Sequence, residues 1–292
     1  MQLSKGQELF HVKKIFQASC FPVSCIPMDK RLEWSDSFSK KQLRNDTKRF
    51  KDNSLFLVLS QNCDIACNND SNDSAIEIAV CKAIKPKEIF TGNTFVKSVR
   101  KFQFAANGSW YEANVDYIIH VDKHDLLETI NSSASFELIK LADEFAKSVP
   151  YWRANRYLRS ALPDKFNLNL HPVLDKHIKF IESAAAPREK TDFSSYIRAI
   201  YVWINSFEEL DFYEYDLFAL LREDTPNEIL SEIQDKIESM ADELSESSGY
   251  EDKSEVYAGK ENTTLVSYLT KFVRLNLDNH SLSKGDEDTG PE

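Results

Sequence analysis

The first 125 residues or so read mostly as strand, and helical spacing takes over in the segments that follow, before strands and helices mix again toward the C-terminus. That change of period constrains the fold more than any other feature. Ile76, Ile78 and Val80 alternate with Glu77, Ala79 and Cys81, the signature of a half-buried strand. Val115, Tyr117, Ile119 and Val121 alternate in the same way, after an Asn107-Gly108 pair that predicts a tight hairpin turn. Phe102 and Phe104 fall on the strand before that turn, Leu55–Leu59 is a continuous apolar run suited to a strand buried on both faces, and a weaker strand is expected over Glu8–Ile15. Short strands separated by turns predict a small barrel or strongly bent sheet.

Helices follow. Phe136, Ile139, Ala142, Phe145 and Ala146 are spaced for one that Pro150 closes; Tyr151–Arg159 forms a second, and Leu170, Val173, Leu174, Ile178 and Ile181 mark a third. The mixed, alanine-rich stretch Ser183–Ser195 is the best linker. Beyond it, strands are expected at Ile197–Ile204, Tyr215–Leu221 and Glu255–Ala258. A helix should start at the Thr225-Pro226-Asn227-Glu228 capping box and carry Ile229, Ile233, Ile237, Met240 and Leu244 as its apolar stripe. Leu265, Leu269, Phe272, Val273 and Leu277 predict a final helix. The expected organisation is α+β: a β-rich, barrel-like domain over residues 1–130, a helical connector over 131–183, an α+β domain over 196–283 with one sheet covered by helices, and a disordered polar tail over 284–292.

Composition excludes several functional classes. Seven glycines occur where usage of about 7% would give around 20. Neither G-x-G-x-x-G nor G-x-x-x-x-G-K-[ST] can be written from them, so the common phosphate-cradling loops are missing. No apolar run approaches membrane-spanning length and no signal-peptide core opens the chain, which predicts a soluble, cytoplasmic protein with no membrane partner. The net charge of −11 is uneven: residues 1–165 hold 24 Lys+Arg against 20 Asp+Glu, the remainder 12 against 27. A nucleic-acid contact is therefore expected on the N-terminal and connector region, since an acidic surface repels phosphate. The acidic half itself serves as a solvated surface or as a dock for a partner protein. Five cysteines, an odd number, point to reduced thiols. Cys20/Cys25 and Cys63/Cys67 have loose zinc-ligand spacing, with small buried apolar residues as the simpler reading.

Three groups of residues carry candidate chemistry. Ser60-Gln61-Asn62-Cys63-Asp64-Ile65 stands where a buried strand emerges, so Gln61 can shape a pocket and Cys63 could serve as a nucleophile if His120 or His124 lowered its pKa; a structural thiol at an Asx-type turn is the plainer alternative. Asp64 with Glu77, one strand later, could hold Mg²⁺ for phosphodiester hydrolysis, as in PD-(D/E)xK nucleases. Ala79 stands where that pattern needs lysine, and Lys82 is the nearest replacement. Arg153, Arg156 and Arg159 repeat every third residue with Trp152 just before them and Tyr157 among them, offering planar forks for phosphate and rings for stacking; ion pairs with the acidic C-terminal domain and core packing of the aromatics are the structural alternative. No cofactor is assigned.

The phrases Leu57-Val58-Leu59-Ser60-Gln61-Asn62-Cys63-Asp64-Ile65 and Asn155-Arg156-Tyr157-Leu158-Arg159-Ser160-Ala161-Leu162-Pro163-Asp164-Lys165-Phe166-Asn167 resemble a loose family of bacterial proteins found with mobile elements and phage-defence systems. Lys5-Gly6-Gln7-Glu8-Leu9-Phe10, followed by Leu55–Ser60, also resembles PemK-like toxin barrels over less than a third of the chain. The first resemblance implies a component of a bacterial conflict system. Its expected role is to recognise nucleic acid or a partner protein through Trp152, Arg153, Arg156 and Arg159. The alternatives are a metal-dependent nuclease using Asp64 and Glu77, a thiol-dependent enzyme using Cys63, and an interaction module docking through the acidic half.

Overall fold

The computed structural model describes residues 3–38, 40–157, 161–186, 191–275, 277 and 280, with the side chain of Arg156 outside the description. The chain is a mixed α+β protein that divides into two units. One comprises residues up to Ile89 together with Arg100–Ala154; the other takes Phe90–Val99 and the chain from Asn155 onward. The segment expected as a connector is thus shared between the two.

Among the described residues, the first unit holds a seven-stranded antiparallel sheet curled into a half-barrel. Its strands are β1 (Ser19–Pro22), β2 (Leu55–Val58), β3 (Ala75–Ile84), β4 (Lys101–Ala106), β5 (Ser109–Asn114), β6 (Ile118–Asp122) and β7 (Ile139–Lys140). The long β3 organises the sheet, pairing along one edge with β2 and along the other with β6 and then β5. The alternation at Ile76, Ile78 and Val80 is this strand, with all three buried. Asn107 and Gly108 both take positive φ in the β4–β5 turn, as a two-residue hairpin demands. Phe21, Trp34, Phe38, Phe50 and Phe56 fill the concave core.

Two segments of this unit depart from the sequence expectation. Glu8–Ile15 is not a strand: a helix starts at Lys5 and widens into a π-helical turn through Val12. A capping box sets its start, with Ser4 Oγ accepting from the Gln7 amide at 3.1 Å and Gln7 Oε1 accepting from the Ser4 amide at 3.2 Å. The Phe136–Ala146 stretch is also not a helix closed by Pro150. It contributes β7, and a helix then runs over Asp143–Tyr157 with Pro150 inside it. The missing proline N–H costs one helical hydrogen bond, offset here by complete burial of Val149 and Trp152.

The second unit is built on β8 (Ile197–Ile204), β9 (Tyr213–Leu221), β10 (Tyr250–Asp252), β11 (Ala258–Lys260) and β12 (Val273–Arg274). β8 and β9 form an antiparallel pair, β10 and β11 lie parallel to β9, and β12 runs antiparallel to β8. The helix Asn227–Ser245 buries Ile229, Ile233, Ile237, Met240 and Leu244 in the same core as the sheet and as Phe166, Leu170 and Leu174 of the helix Asp164–His177. Thr225 does not complete the expected capping box. Its hydroxyl instead donates to the Arg222 carbonyl, and Pro226 takes the N-cap position. The expected final helix is short, Val266–Leu269; Val273 then turns back into the sheet as β12. The tail at 284–292 lies outside the described residues, as do residues 187–190 of the linker tract.

Phe90–Val99 is held to the second unit by a buried ion pair. Lys97 Nζ lies 2.7 Å from Asp192 Oδ2, and Thr91 and Ser194 hydroxyls donate to the same carboxylate at 2.6 and 2.5 Å.

Candidate functional site

The Ser60–Asp64 phrase leaves β2 as a turn followed by the short helix Asn62–Ile65. Its polar groups are largely committed to holding that turn. Ser60 Oγ accepts from the Glu77 amide at 2.9 Å, Asn62 Oδ1 accepts from the Gln17 amide at 2.8 Å, and Gln17 Nε2 donates to the Leu59 carbonyl at 2.8 Å. From beneath, the fully buried Lys123 donates to the Asp64 carbonyl at 2.5 Å, with Asp73 3.8 Å from its ammonium. The N-terminal helix docks on the same turn: Ser4 Oγ donates to the Cys67 carbonyl, and the Lys5 and Gly6 amides donate to Asp70. A Cβ on Gly6 would lie 2.3 Å from the Ile65 oxygen, so only glycine permits this approach.

Cys63 is exposed, and its thiol lies 3.3 Å from Asp64 Oδ1 and 3.7 Å from Gln61 Oε1. Hydrogen bonding to the Asp64 carboxylate pushes the thiol pKa up, the reverse of what a nucleophile requires. Neither expected histidine partner is placed to correct this: His124 lies 3.4 Å from Glu128 and His120 lies 3.3 Å from Glu77.

Glu77 is the centre of a charged cluster on β3, β6 and the helix Asp143–Tyr157. His120 stands opposite it in the β3–β6 register with Nε2 3.3 Å from Oε1, and Arg153 Nη2 donates to both carboxylate oxygens at 2.8 and 3.1 Å. The His120 hydrogen bond, with further help from the Arg153 guanidinium, holds Glu77 below the usual carboxylate range against the opposing effect of burial. The same contact raises His120. A carboxylate with its charge balanced in this way is poorly disposed to bind Mg²⁺. Among the described residues, no group of three or more His, Cys, Asp or Glu side chains is placed to hold a metal ion. The arrangement thus brings Arg153 and His120 to Glu77.

The remaining arginine-stripe residues divide differently. Trp152 is fully buried and stacks on Phe102 with ring centroids 5.7 Å apart, so it is a core residue with no face for a base. Arg159 and the side chain of Arg156 lie outside the described residues.

A concavity of the first unit involves none of these residues. It is a cleft of about 420 Å³ lined by Lys14, Phe16, Gln17, Leu138, Lys140 and Ala146, with Ala18, Ser19, Ile139 and Leu141 completing its walls. No carboxylate lines it, and neither Lys14 nor Lys140 has an ion-pair partner among the described residues. Two of the lining residues are held in the left-handed region, Lys14 at φ +59° and Ala18 at φ +68°. For residues other than glycine, this conformation costs about 1–2 kcal/mol each. Gln17 joins the cleft to the Ser60–Asp64 turn through its two hydrogen bonds. The cleft escaped the sequence reading because its walls come from residues 14–19 and 138–146, which share no motif or period.

The chain matches no protein-family model, and no curated protein or solved structure is significantly similar to it. Among the described residues, no helix is long and apolar enough to cross a membrane.

Proposed function

We propose that this protein is a recognition component that binds an anionic macromolecule, a nucleic acid or a partner protein, through the cleft of its first unit. The bacterial conflict systems suggested by the sequence phrases are its proposed setting. The observation that carries this reading is the pairing of two unneutralised lysines with an apolar floor and no carboxylate, on a chain whose net charge is −11. The acidic residues are concentrated beyond residue 165, so an anionic ligand is drawn to the N-terminal part, where a cleft flanked by lysines gives it one place to bind. The strained backbone at Lys14 and Ala18 supports the same reading, because such conformations persist where the surroundings fix them and concentrate at ligand clamps.

The enzymatic alternatives have less support. The Cys63 thiol is stabilised in its protonated form, and the Glu77 carboxylate is already engaged by Arg153 and His120.

The reading is tested by fluorescence anisotropy with a labelled single-stranded oligonucleotide and a labelled acidic peptide, using the full chain and its Lys14→Glu/Lys140→Glu variant. At least one probe should bind and lose affinity in the variant. If the oligonucleotide is the ligand, two lysine–phosphate contacts give a slope of about −1.4 in log affinity against log salt. Absence of binding by both probes at low salt refutes the reading.

A further inference from the structure

We propose that the cleft takes an extended acidic segment of a partner protein, which adds to the sheet as a strand beside β7. This rests on the recognition reading above and narrows it to one class of ligand.

β7 is the terminal strand of the seven-stranded sheet. Ile139 and Lys140 pair with Cys20 and Ser19 of β1 on one side, and neither has another backbone partner among the described residues. In an antiparallel pair, successive residues direct their amide and carbonyl groups alternately toward and away from the neighbouring strand. The edge of β7 away from β1 therefore offers main-chain donors and acceptors. The four consecutive residues Leu138–Leu141 all line the cleft, so the edge strand forms part of its wall.

The side chains specify what can lie there. Ile139 and Leu141 are buried, Leu138 is half-buried and Lys140 is exposed, the alternation of a strand with one wet face. Lys140 stands on the edge strand and Lys14 on a separate wall, while Phe16 and Leu138 supply apolar surface. An incoming strand with acidic residues at alternate positions and apolar residues between them would satisfy all three features. A very short edge strand bearing a lysine is also a device that discourages indiscriminate pairing. Here the same lysine would penalise a basic strand and favour an acidic one, so protection and selectivity arise from one residue.

A nucleic acid meets the lysines but not the backbone edge, because it has no regular array of amide groups to pair with β7. Trp152, the ring best suited to stack a base, is buried. The observations therefore favour a peptide.

The experiment measures anisotropy of a labelled eight-residue peptide alternating Glu with Val, against the full chain. Two further versions carry backbone N-methyl groups at the odd or at the even residues. Binding should weaken about three- to tenfold for each of Lys14→Glu and Lys140→Glu, as expected when an exposed attraction becomes a repulsion. Only one of the two methylated peptides should lose binding, since alternate residues face β7. Hydrogen exchange should slow at amides within Leu138–Leu141 when the unmodified peptide is bound. If the two methylated peptides bind as well as the parent, strand addition is overturned. If an oligonucleotide binds in a lysine-dependent way and the peptide does not, this inference fails while the recognition reading survives. If neither binds, both fail.

Discussion

Replacing Lys97 with Met would remove one half of the ion pair that fixes Phe90–Val99 to the second unit. The side chains of Lys97 and Asp192 are only 3% and 6% exposed, and their charged atoms lie 2.7 Å apart. Methionine keeps the volume of the lysine stem, so the loss is mainly electrostatic. It leaves the Asp192 carboxylate buried with two hydroxyl donors, Thr91 at 2.6 Å and Ser194 at 2.5 Å, and no cation. Breaking a buried pair in this way costs about 3–5 kcal/mol, and the two surviving donors place Lys97→Met near the lower figure. At about 2–4 °C per kcal/mol for a unit of this size, the unfolding midpoint should fall by about 6–12 °C. Scanning calorimetry at neutral pH measures this, with Lys97→Met/Asp192→Asn expected to recover part of the loss because no unpaired charge remains. Burial opposes ionisation of Asp192, yet Lys97, Ser194 and Thr91 together hold its carboxyl below the usual range. Its stabilisation is accordingly present above the unfolded-state pKa of about 4 and disappears as pH falls through the depressed native value. The gap between native chain and variant should therefore narrow in acid. A midpoint shift under about 1 °C at neutral pH would refute the reasoning.

Three other substitutions probe separate parts of the account. Gly6→Ala places a Cβ 2.3 Å from the Ile65 oxygen and 2.9 Å from the Cys67 oxygen, so the N-terminal helix must shift off the Ser60–Asp64 turn; a loss of about 1–3 kcal/mol is expected by denaturant unfolding, and a variant as stable as the native chain contradicts the close approach. Burial raises the Asp216 carboxyl to about 6, and its Oδ1 has no hydrogen-bond partner. Since the native state retains this proton above the unfolded-state pKa, stability falls as pH rises from about 4 to about 6. Asp216→Asn should therefore be more stable than the native chain by up to about 3 kcal/mol at pH 7.5 and gain little at pH 4, and a pH-independent difference would contradict the assignment. Asp64→Asn keeps a side-chain oxygen beside the Cys63 thiol but removes the carboxylate charge that favours its protonated form, so alkylation of Cys63 by iodoacetamide at neutral pH should accelerate; an unchanged or slower rate would show that the Asp64 charge does not suppress its reactivity.

Patterns that depend on neighbours in sequence were readable in advance. The alternation of Ile76, Ile78 and Val80, the Asn107-Gly108 turn and the stripe from Ile229 to Leu244 each encode an element whose burial is set by period alone. Helix termini were less legible where competing contacts decide them. Thr225 had the right sequence context for a cap but bonds backward to Arg222, whereas the Ser4–Gln7 box immediately precedes the Glu8–Ile15 stretch that reads as a weak strand. Pro150 is tolerated inside a helix because Val149 and Trp152 are buried around it, a tertiary effect absent from local sequence. At the candidate site, Arg153 and Glu77 were visible as charged residues, but their mutual contact spans 76 positions and could not be inferred from spacing. The cleft was hidden for the same reason, since Lys14 and Lys140 meet only after β1 and β7 have paired.

The central claim is that the lysine-flanked cleft, not the chemistry at Cys63 or Glu77, is where this protein acts. The most direct measurement compares affinity for the alternating acidic peptide in three full-length forms: the native chain, Lys14→Glu/Lys140→Glu, and Cys63→Ser/Glu77→Gln. The account predicts strong weakening in the lysine variant and affinity close to native in the other. Equal affinity in the native chain and the lysine variant, or loss confined to Cys63→Ser/Glu77→Gln, would contradict it.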